Sequence, residues 1–160
     1  MIKKIISFIT LLTVLFTFVA CSDKVLSITE KAMPSLDNNQ TIGITLVTLE
    51  NYTDTPRAGM RATNIVKGVL NAKGYIVVDN LSDLKNNNKK TKYYMRGAVS
   101  EWRYKTGIDG EPAVSIRLAL YSTQTDKLVW SATGANNDWG NGSIGTTAQS
   151  LIEEMFTSSD

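Results

Sequence analysis

The stretch PAVSIRLALYS, residues 112–122, constrains the fold more than any other part of this 160-residue chain. Val114, Ile116, Leu118 and Leu120 fall on one face of a strand, by a strict period of two. A turn at residues 123–126 follows, then a further strand, KLVWSAT, at residues 127–133. Residues 92–105 alternate more loosely and reach this pair through a turn at Gly107, Asp109 and Gly110. The three segments read as an antiparallel meander joined by tight hairpins. A sheet that buries one face needs a second layer to bury it against. Two amphipathic segments supply that layer. Over residues 57–73, Ala58, Ala62, Ile65, Val66, Val69 and Leu70 keep helical spacing. Pro56 stands at the first helical position, Thr55 or Asp54 is the expected cap, and Gly74 ends the helix. Near the C-terminus Ser143 caps a last helix whose inner stripe is Ala148, Leu151, Ile152 and Met155.

Two more strands complete the plan. Ile42, Ile44 and Leu46 alternate with Gly43, Thr45 and Val47, and residues 75–79, YIVVD, form a short buried strand after the first helix. Residues 80–92, rich in asparagine and lysine, are a solvated connection. The order is strand, helix, strand, three-strand meander, helix. The expected fold is therefore a single α+β domain over residues 41–160, a mostly antiparallel sheet of about five strands with two main helices.

The N-terminal segment is of another kind. Lys3 and Lys4 precede an apolar run at residues 5–20, the layout of a secretory signal. The run is short for a transmembrane helix, which needs about 20 apolar residues. Cys21 is the only cysteine in the chain and sits where such a signal would be cut. The segment Phe18-Val19-Ala20-Cys21 resembles the lipobox of bacterial lipoproteins, which implies that residues 1–20 are removed and Cys21 becomes a lipid-bearing N-terminus. Several acyl chains anchor firmly where one binds reversibly. Ser22 stands after the cysteine, where aspartate would retain an enteric lipoprotein in the inner membrane; the resemblance thus implies the periplasmic side of the outer membrane. Residues 21–40 read as a lipidated tether, with a short helical turn at most, reaching roughly 60 Å if fully extended.

Removing the signal also changes the charge balance. The precursor carries 17 basic and 15 acidic residues, a net charge of +2. Losing Lys3 and Lys4 brings the two signs level, so the basicity belongs to the signal and argues for no nucleic-acid partner.

Composition limits the chemistry as well. The chain has no histidine, so a serine or cysteine nucleophile activated by histidine is excluded, as are the common zinc sites. Residues 140–145, GNGSIG, match GxGxxG. A dinucleotide site needs a following strand and an acidic residue about 20 positions on, and only a helix fits in the remaining sequence; the glycines read as a turn feeding a helix cap. Asp109 and Glu111 flank Gly110, and Asp138 lies in another loop. Three scattered acids fall short of the oxygens that a calcium ion takes. No enzyme activity, metal or cofactor is expected.

The tryptophans differ in their settings. Trp130 lies between apolar neighbours in a strand and reads as core, whereas Trp102, in SEWRY, reads as half-buried. Trp139 has no apolar neighbour in NNDWGNG. Two readings stand for it: a side chain folded back on its own domain, or an exposed aromatic that meets a membrane or a partner.

Taken together, ITLVTLENYTDTPRAG, GYIVVD, EWRY and EPAVSIRLALYSTQTDKLVWSATG, followed by the amphipathic helix, resemble the PelC-type lipoproteins over roughly residues 41–157. The most specific parts are NYTDTPRAG and TQTDKLVWS. More distantly the chain resembles the group that contains the curli-secretion lipoprotein CsgG and the synthase activator LpoB. The PelC resemblance implies a non-catalytic, homo-oligomeric subunit, a dodecameric ring in that family. Such a ring works with an outer-membrane porin to export the cationic Pel polysaccharide of biofilms. It further implies an apolar ring face toward the bilayer, for which Trp139 is the candidate, and an acidic aperture, for which Asp109, Glu111 and Asp138 are candidates. A peptidoglycan-synthase activator like LpoB is the alternative, although its reach requires a longer tether than residues 21–40 offer. A glycan hydrolase using two carboxylates is a third reading.

Overall fold

The computed structural model describes residues 24–28, 33–34, 43–79, 91–104, 110–137 and 142–157. Their elements run β1 (Lys24–Ile28), β2 (Gly43–Leu46), β3 (Glu50–Asn51), α1 (Ala58–Ala72), β4 (Ile76–Val78), β5 (Tyr93–Arg103), β6 (Ala113–Ser122), β7 (Leu128–Asn137) and α2 (Ile144–Thr157). The strands form one sheet in the order β1-β7-β6-β5-β2-β4, with β3 alongside β5. Both helices pack on one face of it, and the core lies between the layers.

The meander is as the alternation predicts. β5 pairs antiparallel with β6, and β6 with β7, and Val114, Ile116, Leu118 and Leu120 are all fully buried. The rest of the sheet corrects the expectation of a mostly antiparallel one: β2 runs parallel to both β4 and β5, and β3 runs parallel to β5. For β2 and β4 the cause is α1, which crosses over between them and returns the chain in its original direction. The sheet is mixed, and it has seven strands where about five were expected.

β1 is a further correction. Where a tether with at most a helical turn was expected, residues 24–28 pair antiparallel with β7, from Lys24 opposite Asn136 to Ile28 opposite Ala132. Met33 is buried in the core, and the Tyr75 hydroxyl donates to the Pro34 carbonyl at 2.9 Å. The segment ahead of residue 41 is thus partly built into the domain.

Helix ends follow local chemistry. At α2 the Ser143 hydroxyl accepts from the Thr146 N–H at 3.2 Å, and Thr146 Oγ1 accepts from the Ser143 N–H at 2.9 Å, a reciprocal cap. At α1 neither Thr55 nor Asp54 caps. Arg57 takes that position with a left-handed φ of 62° and no side-chain bond, while the Thr55 hydroxyl donates to the Trp102 carbonyl at 2.8 Å. The other end closes as expected. Gly74, at φ 91°, and Tyr75 return their N–H groups to Asn71 and Leu70, the pairing of a Schellman motif.

Trp130 is fully buried and stacks on Phe156, with centroids 5.3 Å apart. Trp102 is also buried, not half-buried. A register shift between Val99 and Glu101 is responsible, since a bulge turns two residues three apart, Val99 and Trp102, to the same face.

Candidate functional site

Register brings several connections to one end of the sheet. Arg103, at the end of β5, lies opposite Ala113 at the start of β6, which lies opposite Asn137 at the end of β7. Lys24, at the start of β1, lies opposite Asn136. The bond from Thr55 to Trp102 draws the start of α1 to the same end. Exposed here are Tyr104 and Met60, with the Arg61 guanidinium 5.9 Å from the Tyr104 ring centroid. Glu111 is described and half-buried at this end. Cys21, Asp109, Asp138 and Trp139 lie outside the described residues. The described positions nearest to them in the chain, Lys24, Gly110 and Asn137, all belong to this end. These flanking described positions share one end of the sheet, although they are far apart in the sequence.

The second feature is the sheet face that no helix covers. It carries the residues between the core positions of β5, β6 and β7: Tyr94, Arg96, Ala98, Arg117, Ala119, Tyr121, Ser131 and Ala135. Tyr94 and Tyr121, opposite each other in the ladder, stack with centroids 5.2 Å apart, and Arg96 lies 5.2 Å from the Tyr94 centroid. The Tyr94 hydroxyl donates to the Asp126 carboxylate, and that bond holds its pKa above the usual tyrosine value. Near β3, Tyr52 donates to Glu50 and is raised for the same reason. Arg117 has no ion-pair partner among the described residues. The sequence reading passed over this face, because it followed the apolar phase of each strand; the complementary phase, with its alanines, arginines and tyrosines, was the available signal.

The outer side of the helix layer holds a groove of about 400 Å³. Asn64, Ile65, Gly68 and Ala72 of α1 line it, with Gln149 and Glu153 of α2. Gln149 donates to Glu153 at 2.8 Å. Among the described residues no cluster of three or more metal-ligating side chains occurs, and no helix is long and apolar enough to cross a membrane.

Comparison with solved structures places this architecture. The PelC dodecamer from Paraburkholderia phytofirmans is 32% identical to the chain, with a TM-score of 0.73, covering 86% of this chain and 97% of its own. The chain belongs to the PelC family. A single-substitution form of the same PelC dodecamer, in another space group, matches at 33% identity and a TM-score of 0.72, over 83% of this chain and 95% of its own. Outside PelC, the protein CT253 from Chlamydia trachomatis shares the fold alone, at 7% identity and a TM-score of 0.55 over 74% of this chain and 95% of its own. No family model matches the chain, and no curated protein matches it in sequence.

Proposed function

We propose that this PelC-family chain is a lipid-anchored periplasmic subunit of a ring at the outer membrane, which guides a cationic exopolysaccharide, Pel, toward a partner porin. The observation that carries the reading is the likeness, near one-third identity over almost the whole relative, to a protein that is a dodecamer in two space groups.

The position of β1 supports the membrane side of the proposal. Only three peptide links separate Cys21 from Lys24, and they span at most about 11 Å. An acyl anchor on Cys21 would therefore hold the end with Lys24, Gly110 and Asn137 close to the bilayer. Exposed Tyr104 and Met60 suit that environment, and Trp139 is the further aromatic proposed to meet it. The same short link weighs against an activator that reaches through peptidoglycan. Asp109, Glu111 and Asp138 are proposed to line the aperture at this end. Repeated by symmetry, each would form an acidic belt that draws in a cationic polymer without gripping it.

Two measurements on the full-length protein test this. Radiolabelled palmitate should mark the wild type in the outer-membrane fraction, and Cys21→Ser should lose both label and fractionation. Light scattering of the detergent-solubilised protein should give a mass of many copies. An unlabelled wild type, or a monomer at every concentration, overturns the reading.

A further inference from the structure

We infer that neighbouring copies stack head to tail, the uncovered sheet face of one, centred on Arg117, seated on the groove between α1 and α2 of the next, centred on Gly68 and Glu153. The inference rests on the ring reading and names the two surfaces that would close it.

A ring of identical copies needs a heterologous contact, in which one patch meets a different patch of the next copy. Twelvefold closure turns each copy by about 30°, so the two patches look outward in directions roughly 150° apart. They lie almost on opposite sides of the protomer. The end near the anchor is committed to the bilayer, which leaves the two sheet edges or the two broad faces. The edges are weak candidates, because β4 has three residues and β1 five. The faces are large. β5, β6 and β7, ten or eleven residues each, present roughly 30 by 15 Å of uncovered sheet. That is roughly half of the ~800 Å² per partner of a stable interface, and β1 and β2 on either side extend it.

Charge makes the two faces complementary. Among the described residues Arg117 projects from the sheet face with no carboxylate in an ion pair with it, and the Glu153 carboxylate at the groove accepts from Gln149 and pairs with no cation. Opposed charges at a contact fix register and partner more than they add affinity. Shape agrees: Ala98, Ala119 and Ala135 keep the centre of the sheet face low, so a helix pair can approach it. Gly68 adds an argument from cost. A glycine inside a helix is less stable than alanine by about 1 kcal/mol, yet among the described residues, its own helical backbone aside, nothing lies within 4 Å of where its Cβ would be. The fold of one copy gives no reason for that space, whereas an arginine arriving from the next copy does.

Charge reversal on the full-length, detergent-solubilised protein tests the pairing. Arg117→Glu and Glu153→Arg should each shift the mass from ring to monomer, weakening association at least tenfold, while the combined variant regains the wild-type mass. Both positions are exposed, so the far-ultraviolet circular dichroism of each variant should match the wild type and show that the protomer still folds. As a second arm, Gly68→Phe fills the groove and should also dissociate the ring. A wild-type ring that survives the single reversals or Gly68→Phe overturns the surfaces and leaves the ring reading intact. Single reversals that the combined variant does not rescue also count against the pairing, and a monomeric wild type overturns both readings.

Discussion

α1 contains two glycines that face opposite circumstances. A Cβ on Gly59 would stand 2.2 Å from the Leu49 carbonyl oxygen, where the Leu49 N–H also donates to Thr63 at 2.9 Å. The helix lies directly on the backbone between β2 and β3, so Gly59→Ala must push them apart and should cost about 2–3 kcal/mol. Gly68→Ala meets nothing among the described residues beyond its own helix and should gain about 0.5–1 kcal/mol from helix propensity. Urea unfolding of both variants reads the two signs. Sequence alone shows two glycines in one helical pattern and cannot separate them, since the difference lies in a segment that α1 reaches only through the fold. Tyrosine ionisation offers another check. Tyr94 and Tyr52 are held above the ordinary value of 10.0, first by their hydrogen bonds to Asp126 and Glu50. The fold thus favours the neutral phenol, an effect fully present below the ordinary value and lost as pH rises through the folded one. Asp126→Asn should move the Tyr94 midpoint down, as followed by near-ultraviolet difference absorbance.

At the scale of elements, legibility followed sequence distance. The hairpin from β6 to β7, the stripe of α2 and its Ser143 cap are local, and their patterns were readable. β1 was not, because five residues carry little period, and their partner lies at the far end of the chain. The parallel pairing of β2 with β5 escaped for the same reason, and the bulge after Val99 blurred the phase that would have placed Trp102 in the core. One bond holds that parallel region from within: the Thr45 and Thr91 hydroxyls, both buried, meet at 2.8 Å. Thr45→Val strands the Thr91 hydroxyl away from water and should cost about 1–3 kcal/mol. Replacing both by valine should cost less than the two single changes together, in a double-mutant cycle read by denaturant unfolding.

For the molecule as a whole, removal of residues 1–20 as proposed would leave no charge excess to attract a polymer, so any attraction would be local. Converting Asp109→Asn, Glu111→Gln and Asp138→Asn together should therefore lower secreted cationic polymer several-fold while leaving the assembled mass unchanged. Quantifying the matrix beside light scattering checks both. An unaltered matrix would remove these acids from the proposed aperture. The candidate residues were legible because loop acids, a lone cysteine and an isolated tryptophan stand out by type. That their flanking positions share one end was not, because it depends on the register of β1, β6 and β7.

The antiparallel lie of β1 also decides how the protein would bear load. Its ladder bonds run perpendicular to the strand, and the proposed lipid attachment at Cys21 lies three residues ahead of it in the chain. Tension from the membrane would act along the strand and strain all of its rungs at once, whereas a hairpin pulled open from its tip surrenders them one by one. A five-residue strand set in shear can thus serve as a mooring line for everything assembled above it.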